Sequence, residues 1–564
     1  MSREINAIVV GLGASGGIVA TELARAGLKV VGLEKGAFYK EADFQSKFDE
    51  IRYYRRSAIV PHMGTDPITW RPNESKEAVV LPWASNKLGL GDPFQIPPSI
   101  GTGGGTVSWG AAAFRFREKD FNMRSTIIER FSEKALPEDT TLVDWPISYQ
   151  DLESYYDRVE WEIGVGGNPG NIKGELIPNG NPFESPRNRG YPMPPLTRGS
   201  TDDLFVDVTT GLGYHPFPTP TAIATIDYKG RSACTNCGYC HGYPCHVGAK
   251  VSTNEIIKAV AEETGNLEIR PHVRVFRVNR DSTGHVKGVS YFDSEGKVVD
   301  LEADIVILGC YALENARLLL ASGVNQNGQV GKNLMMHNFG WFTGILPHWT
   351  NPFMGSLQGG SVIDDFTSEL IPDNKEGILW GSPINTWTGD MQPIEAIHAL
   401  PPHISKWGKG FKDWFSENYR RLFRMYSQHS TLPSHNAYCD LDPTVKDKYG
   451  QPSLRITHEW TDYDKKSVEY FSKIKTKIAI EIGMTEWWED SATPAYHVSV
   501  HDVGTHRMGW DPHSSVVDPF GEVHECKGLY AIGGGQFPTF PSYNPTETIM
   551  ALAYRTADRL LKRV

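Results

Sequence analysis

The stretch AIVVGLGASGG, residues 7–17, is a short apolar run that ends in spaced glycines. A continuous apolar run bounded by glycine is typical of a buried strand. The residues that follow, IVATELARAG (18–27), have helical spacing with Gly27 as a stop, and KVVGLEKG (29–36) has the composition of a second buried strand. The beginning of the chain therefore predicts a strand, a glycine-rich turn, a helix and a second strand.

The same alternation returns in two later parts of the chain. ADIVILGCYALENARLLLASG (303–323) has the pattern of a strand followed by a helix. GLYAIGGG (528–535), followed by NPTETIMALAYRTADRLLKRV (544–564), has the pattern of a strand, a loop and an amphipathic helix. Strands that alternate with helices favour a parallel sheet. We therefore predict an α/β fold, α+β overall, in which distant segments assemble one domain.

The first glycine-rich turn has the spacing of a dinucleotide-binding loop. Gly11, Gly13 and Gly16 form G-x-G-x-x-G, and Glu34 stands at the end of the next strand. The glycines let the backbone approach a pyrophosphate at a helix N-terminus, and the carboxylate can accept hydrogen bonds from a ribose. The motif favours FAD or NAD over NADP. The alternative is a glycine-rich turn in an ordinary α/β unit.

A second glycine-rich stretch, GTGGGTVSWGAAAFR (101–115), contains Gly101, Gly103, Gly104, Gly105 and Gly110. Glycines at this density let the main chain lie against a flat ligand such as a flavin ring. The alternative is a flexible loop without a ligand. The two stretches together favour FAD.

Four of the seven cysteines lie in CTNCGYCHGYPC (234–245), at Cys234, Cys237, Cys240 and Cys245. Zinc sites typically use two C-x2-C pairs separated by a dozen or more residues. Successive x2 spacings are instead typical of a segment that wraps an iron–sulfur cluster. We predict such a cluster here, with zinc, disulfides or free thiols as the alternatives.

Composition excludes several classes of partner. The charge of -11 over 564 residues argues against nucleic acid or an anionic membrane as the main partner. No run of 18 or more apolar residues is present, which excludes a predicted spanning helix. The start, MSREINAIVVGLGASGG, lacks the pattern of a signal peptide, which by itself favours the cytoplasm.

The C-terminal part carries two further motifs, HDVGTHRMGWDPHSSVVD (501–518) and PSYNPTETIMALA (541–553). With the glycine loops, DWPISYQDLESYYDRVE (144–160) and VGKNLMMH (330–337), they make the chain resemble the glucose–methanol–choline oxidoreductase family over nearly its whole length. The residues of the C-terminal motifs are similar to those of pyranose oxidases and of the large subunits of bacterial FAD-dependent gluconate, glucose and glucoside 3-dehydrogenases. The resemblance implies a Rossmann-like FAD domain with an inserted sheet-and-helix substrate domain.

The resemblance also implies a catalytic pair. By position, His501 abstracts the proton of a substrate hydroxyl and Asn544 hydrogen-bonds the same oxygen. A neutral imidazole suits this role because its pKa of about 6.5 makes it a base near neutral pH. The alternative for His501 is a structural role, with His497 or His506 as the base.

Cofactor contacts are implied at further positions of the same motifs. The predicted FAD-binding residues are Gly11, Gly13, Ser15, Gly16, Glu34, Gly103, Gly104, Gly105, Thr106, Ser108, Trp109, Gly110, Val273, Gly534, Asn544 and Thr546. Pyranose oxidases carry a histidine before the tryptophan of the second loop, and this histidine attaches the flavin covalently. Ser108 occupies that position here, so we expect non-covalent FAD.

The cysteine spacing departs from the related large subunits, which carry a [3Fe–4S] cluster on C-x5-C-x3-C. Cys234 and Cys240 match the first two positions, Cys245 matches the third with one extra residue, and Cys237 has no counterpart. The cluster is therefore [3Fe–4S] with three ligands or [4Fe–4S] with four. Similar large subunits are exported with a small subunit, so we expect such a partner and a periplasmic location. Without that partner, we expect the cytoplasm. We also expect a cytochrome, quinone or other electron acceptor.

We predict a discontinuous FAD domain of residues 1–60, 90–150, 225–340 and 495–564, with the iron–sulfur segment at 230–250. The substrate domain and its excursions comprise 151–224 and 341–494. Within them, residues 165–225 are rich in Pro, Gly and Asn and are expected to form extended loops. Substrate contacts are expected in 341–495, which carries no recognisable motif.

The function implied is FAD-dependent oxidation of a secondary or anomeric sugar hydroxyl, with electrons passed through the cluster to an external acceptor. Glucoside C3 and pyranose C1 or C2 are all open as the site of oxidation. One alternative is an oxygen-using pyranose or glycoside oxidase with a structural zinc in the cysteine segment. Another is a non-catalytic flavoprotein relay.

Overall fold

The computed structural model describes residues 5–40, 43, 50, 66–81, 100–356, 359–371, 376–387, 389, 391–489 and 501–563. Its α-helices are α1 (Gly16–Arg25), α2 (Met123–Phe131), α3 (Tyr149–Ile163), α4 (Ser200–Gly211), α5 (Thr253–Thr264), α6 (Ala312–Ala321), α7 (Gly408–Asn418), α8 (Asp462–Ile482) and α9 (Thr546–Leu561). Its β-strands are β1 (Ala7–Val10), β2 (Val30–Leu33), β3 (Ile68–Arg71), β4 (Val79–Val80), β5 (Asn171–Ile172), β6 (Glu175–Leu176), β7 (Phe217–Pro218), β8 (Leu267–Arg270), β9 (Arg274–Arg280), β10 (Val286–Phe292), β11 (Val298–Glu302), β12 (Ile305–Leu308), β13 (Met335–Met336), β14 (Asn338–Ile345), β15 (Ser361–Ile363), β16 (Ile384–Thr386), β17 (Leu422–His429), β18 (Tyr438–Lys446), β19 (Pro452–Thr457), β20 (Glu486–Glu489), β21 (Asp502–Val503) and β22 (Leu529–Ala531).

A five-stranded parallel sheet forms the first large layer, in the order β22-β12-β1-β2-β8. Ala7 of β1 pairs with Ile305 on one side and with Val30 on the other. All four residues of β1 are buried, as expected for a parallel strand covered on both faces. The predicted strands at 7–12, 29–36, 303–323 and 528–535 meet in this sheet, which confirms the α/β class.

The helices next to this sheet begin and end close to the predicted positions. Helix α1 ends at Arg25, and Gly27 then adopts a φ of +91°, a backbone conformation that favours glycine. Helix α9 begins at Thr546, and both α5 and α9 pack against α1. The two ends of the chain therefore meet around the first glycine-rich turn.

A six-stranded antiparallel sheet forms the second large layer, in the order β20-β14-β17-β16-β15-β7. Phe342 and Met425 are buried in one hydrophobic cluster with Phe471 of α8, so α8 covers one face of the sheet. Side chains alternate between the faces of a strand. Trp341 of β14 and Tyr426 of β17, which are paired neighbours, therefore lie on the opposite face.

Two smaller sheets complete the fold. Strands β9, β10 and β11 form an antiparallel sheet, and β18, β19, β3 and β4 form a mixed one. The short pair of β13 and β21 is antiparallel, with Met336 opposite Asp502. This pair is small, but it lies directly beside the candidate catalytic residues.

The expectation that residues 165–225 form only loops is wrong, because α4 lies within this range. The Asp202 carboxylate accepts a hydrogen bond from the Gly199 N–H at the start of the helix. Phe205 and Thr209 are fully buried one turn apart. A capped start and one apolar face are sufficient for a helix in tertiary context, despite the flanking Pro and Gly.

The predicted division into a FAD domain and a substrate domain stays a prediction. The parallel sheet draws its strands from residues 7–33, 267–308 and 529–531, whereas the six-stranded sheet draws its strands from 217–489. In the parts of the chain that the structure describes, none of the α-helices has the length and hydropathy needed to cross a bilayer.

Candidate active site

The first glycine-rich turn is closed so tightly that side chains are excluded from it. A Cβ atom at Gly16 would lie 2.0 Å from the carbonyl oxygen of Gly11. Gly11 itself has a φ of +82°, and a Cβ there would lie 2.6 Å from the Cα of Cys310. The backbone N–H groups at the start of α1 therefore remain accessible to an anionic group, which fits a pyrophosphate.

The second glycine-rich stretch is docked on the first. The Gly103 N–H donates to the Leu12 carbonyl at 2.8 Å, and a Cβ at Gly104 would lie 3.0 Å from the Cα of Gly13. Thr106 is buried and its hydroxyl donates to the Gly103 carbonyl at 2.6 Å. The loop is thus ordered by its own hydrogen bonds, and its remaining predicted contacts, Gly105, Ser108, Trp109 and Gly110, follow in the same 3-10 turn and just beyond it.

Glu34 is buried at the end of β2, where its carboxylate accepts two backbone hydrogen bonds. The donors are the N–H groups of Leu12 at 3.0 Å and Gly36 at 2.9 Å. An ionised carboxylate has about four acceptor positions, so it retains capacity for ribose hydroxyls. Val273, also predicted as a contact, donates its N–H to the Glu34 carbonyl at 3.0 Å and so lies beside this carboxylate.

The last predicted cofactor segment follows β22. A Cβ at Gly533 would lie 3.2 Å from the Ser15 hydroxyl, so the 533–535 turn approaches the first loop. Gly534 begins this turn, and Thr546 is the first residue of α9. Beneath the turn, His506 is fully buried and its Nε2 finds no hydrogen-bond partner among the described residues. The tight glycine cradle and the unsatisfied polar atom fit a bound dinucleotide such as FAD.

The cysteine segment lies directly against the second glycine-rich loop. The Gly242 N–H donates to the Ser108 carbonyl at 2.7 Å. The buried ammonium group of Lys250 donates to the carbonyl of Trp109 at 2.7 Å, and to those of Cys240 at 2.6 Å and Tyr243 at 2.7 Å. One lysine therefore joins the loop predicted to hold the flavin to the segment predicted to hold a cluster.

The sulfur atoms of this segment do not share one centre. All four are thiols; Cys240 Sγ lies 3.5 Å from the Ser356 hydroxyl, and Cys245 Sγ accepts from the Lys250 N–H at 3.5 Å. Burial raises the pKa of Cys234 and of Cys237, and neighbouring cysteines contribute to both shifts. Among the residues described, no three Cys, His, Asp or Glu side chains converge as metal ligands. The predicted iron–sulfur ligands therefore stay a prediction.

The antiparallel pair of β13 and β21 brings two histidines together. His337 follows β13 and His501 precedes β21, and their Nδ1 atoms are 3.0 Å apart. His337 Nε2 lies 2.7 Å from the Pro541 carbonyl oxygen, and its ring stacks on Phe540 with centroids 3.7 Å apart. His501 was a predicted site residue, whereas His337 was missed. The signal available was its position as the last residue of VGKNLMMH.

Both histidines are neutral at neutral pH. Burial lowers the pKa of His501 to about 4, with a contribution from His241 of the cysteine segment. Burial and then the neighbouring His501 lower the pKa of His337 well below its ordinary value. A neutral imidazole retains one nitrogen lone pair, which a proton-accepting base requires.

The segment before Asn544 is held in place by hydrogen bonds. The Ser542 carbonyl accepts from Gln428 Nε2 at 2.9 Å, and the Tyr543 hydroxyl donates to Asp364 Oδ2 at 2.6 Å. Asn544 is partly buried, and its amide has no partner in the described part of the chain. The amide is therefore positioned by its neighbours and available to a ligand.

An aromatic wall extends from His501 along the six-stranded sheet. It consists of Phe339, Trp341, Tyr426 and Trp387. The Phe339 ring centroid is 5.9 Å from that of His501, and Trp341 is 4.8 Å from Tyr426 and 4.9 Å from Trp387. At the far end, Trp387 meets His241 at 5.7 Å. A mainly aromatic surface beside a few polar groups is typical of a small-molecule site.

Comparison with known families identifies the chain. Residues 220–339 and 433–553 match the two family models described as GMC oxidoreductase. Gluconate 2-dehydrogenase flavoprotein of Pantoea cypripedii is 30% identical, over 99% of this chain and 94% of that protein. The chain belongs to the GMC oxidoreductase family. The expected family is confirmed, and this GMC protein is an oxidoreductase for which FAD-dependent oxidation of a hydroxyl group is supported.

Other relatives of this GMC oxidoreductase include dehydrogenases and oxidases. The fructose dehydrogenase large subunit of Gluconobacter japonicus is 26% identical, over 100% of this chain and 99% of that protein. Paromamine 6'-oxidase of Streptomyces fradiae is 27% identical, over 98% and 91% respectively. The crystal structure of a formate oxidase superposes with a TM-score of 0.64 at 14% identity, covering 99% of this chain and 98% of that one, which shows the shared fold.

His497, the other histidine considered as an alternative base, lies outside the described residues.

Proposed function

We propose that the protein oxidises a hydroxyl group of a sugar or glycoside to a keto group or lactone, with His501 as the base. The observation that carries the proposal is the placement of His501. Its imidazole is neutral and lies beside His337. It also stands at one end of the aromatic wall, next to Phe339. This combination supports proton removal from a hydroxyl bound on the wall.

Each residue of the catalytic pair has a distinct task. His501 accepts the proton of the substrate O–H, and the Asn544 amide donates a hydrogen bond to the same oxygen and fixes its direction. Bound FAD supplies the acceptor for the hydride that leaves the carbon, so the substrate loses one proton and one hydride. A neutral amide suits Asn544 because it does not compete for the proton.

The proposed FAD contacts are those described above. The turn at Gly11–Gly16 takes the pyrophosphate, and Glu34 takes the ribose. The loop at Gly103–Gly110 lies along the flavin, and Gly534, Asn544 and Thr546 contribute from the C-terminal segment. Ser108 offers no ring nitrogen for a covalent link, which supports non-covalent binding.

The aromatic wall favours a ring-shaped polyol over a linear alkyl chain. Trp341 lies next to Tyr426, and the Arg424 guanidinium lies over the Trp341 ring, 4.2 Å from its centroid, so a cationic group is part of the wall. Aromatic faces with a few polar groups at their edge suit a ligand that has apolar faces and a polar rim. Two relatives are named for gluconate and fructose, which supports the same substrate class. Glucoside C3 and pyranose C1 or C2 remain candidates for the carbon oxidised.

The second part of the proposal concerns the electron acceptor. Cys234, Cys240 and Cys245, with or without Cys237, are proposed to hold an iron–sulfur cluster that supplies one-electron transfer to an external acceptor. Spacing and the anchoring of the segment to Ser108 and Trp109 support this. The Ser356 hydroxyl lies 3.5 Å from Cys240 Sγ and also hydrogen-bonds Cys234, so two of the proposed ligands face one side chain.

The proposed partners are a small subunit and a cytochrome, quinone or similar acceptor, with a periplasmic location when the small subunit is present. One relative is named a large subunit, which supports a second subunit by analogy. The competing function is an oxidase with zinc in the cysteine segment, and the relative named an oxidase favours it.

The test combines a substrate screen with an acceptor comparison. Purified protein is mixed with a panel of sugars and glycosides without oxygen, flavin bleaching is followed, and NMR identifies the product. We expect bleaching, faster turnover with a dye than with oxygen, and iron with sulfide in metal analysis. His501→Gln is expected to slow bleaching about 10²–10⁴-fold, whereas His513→Asn, at an exposed histidine, leaves it unchanged. Rapid peroxide formation with zinc alone would establish the oxidase instead.

A further inference from the structure

We propose that His337 is a positioning residue that fixes the tautomer of His501, so that His501 presents an unprotonated Nε2 to the substrate. The inference deepens the proposed function, because it rests on His501 as the base.

A backbone carbonyl fixes the tautomer of His337. The Pro541 carbonyl oxygen lies 2.7 Å from His337 Nε2. A carbonyl oxygen can only accept a hydrogen bond, so Nε2 of His337 carries the hydrogen. Since burial keeps His337 neutral, its Nδ1 then holds a lone pair and can only accept.

The tautomer of His337 in turn fixes the tautomer of His501. Its Nδ1 lies 3.0 Å from the Nδ1 of His337. Two lone pairs facing each other at this distance repel, whereas an N–H facing a lone pair forms a hydrogen bond. His501 therefore carries its hydrogen on Nδ1, and the lone pair of its neutral ring is on Nε2. That nitrogen is the one able to accept a proton.

The geometry also prevents His337 from changing its role. Its ring is 1% exposed, stacks on Phe540 at an interplanar angle of 9°, and stands at 85° to the His501 ring. The titratable groups that act on the pair are His241 toward His501, and His429 toward His337.

The test separates tautomer control from packing. In His337→Asn, an amide oxygen can replace the Nδ1 acceptor, whereas His337→Phe keeps a ring but removes every acceptor. We expect His337→Phe to lower kcat about 10²-fold with little change in KM, and His337→Asn to recover most of this loss. Equal losses in both variants, in proportion to the loss of thermal stability, would overturn the inference.

A second readout does not depend on activity. ¹⁵N NMR of the full-length, histidine-labelled protein distinguishes a protonated ring nitrogen from an unprotonated one, and His501→Gln assigns the His501 signal. We expect Nε2 of His501 to be unprotonated in the wild type and partly protonated in His337→Phe, with His513→Asn unchanged from wild type. A protonated Nε2 in the wild type would refute the inference whatever the activity. If His501→Gln stayed active while the tautomer was as stated, the proposed function would fail and the inference would stand.

Discussion

The histidine pair and the cysteine segment lie at opposite ends of the aromatic wall and are held in different ways. At the histidine end, each hydrogen bond has a direction that is set by a backbone carbonyl, so the side chains themselves are oriented. At the cysteine end, Lys250 and Gly242 hold the backbone, while Cys234 and Cys240 both face the Ser356 hydroxyl. The histidine pair is thus oriented by hydrogen bonds within the protein, whereas the cysteine segment is positioned through its backbone.

After His501→Gln, the largest effect is expected when Asn544, the other member of the proposed catalytic pair, is changed. Asn544→Ala removes the proposed donor to the substrate oxygen, and loss of one such donor typically lowers kcat about 10²–10³-fold. Flavin bleaching by substrate without oxygen measures this step directly. Asn436→Ala, at an exposed position, serves as the control and should be unaffected. An unimpaired Asn544→Ala would remove Asn544 from the catalytic pair.

The next effect concerns the lysine that joins the cysteine segment to the second loop. Lys250→Met leaves three buried carbonyls without their shared donor, which is expected to cost about 2–4 kcal/mol in the free energy of unfolding. Chemical denaturation measures this cost, and the flavin content of the purified variant should fall with it. Lys409→Met, at an exposed lysine of α7, is the control. A variant as stable as wild type would show that the two segments are held independently.

A smaller effect is expected when one thiol of the cysteine segment is altered. Cys234→Ser should lower turnover with a one-electron acceptor at least about 10-fold, because it removes a proposed ligand and changes around a metal site alone cost about 10–100-fold. Bleaching of the flavin by substrate should stay at the wild-type rate, because the histidine end is untouched. The same loss in both measurements would mean that the segment supports the fold and not electron transfer.

The smallest effect is the response of the histidine end to pH. Because burial lowers the pKa of His501 to about 4, its neutral form already predominates at pH 6. The bleaching rate should therefore change less than about twofold between pH 8 and pH 6, and fall about tenfold per unit only below pH 4. A stopped-flow series at constant ionic strength measures it. A midpoint near 6.5 would show that His501 is solvated and not the buried base.

The sequence was informative wherever the structure depends on local pattern. The strands and turn around Gly11–Gly16 follow from apolar runs and glycine spacing, and the parallel sheet follows from their repetition. His337 could not be found in this way, because its role depends on the pairing of β13 with β21. That pairing brings His337 next to His501, which is 164 residues away in the sequence. Lys250 was equally hidden, since a buried lysine is recognised only from the carbonyls that surround it.

The chain of hydrogen bonds behind His501 ends on a carbonyl dipole and not on a carboxylate. An imidazole that has just accepted a proton therefore gains a positive charge that this chain does not neutralise. The protonated imidazole is therefore a strong acid for a histidine, and it loses its proton spontaneously at any pH well above 4. As the proposed base, His501 would therefore carry the proton only briefly, whereas a histidine backed by a carboxylate would retain its proton for longer.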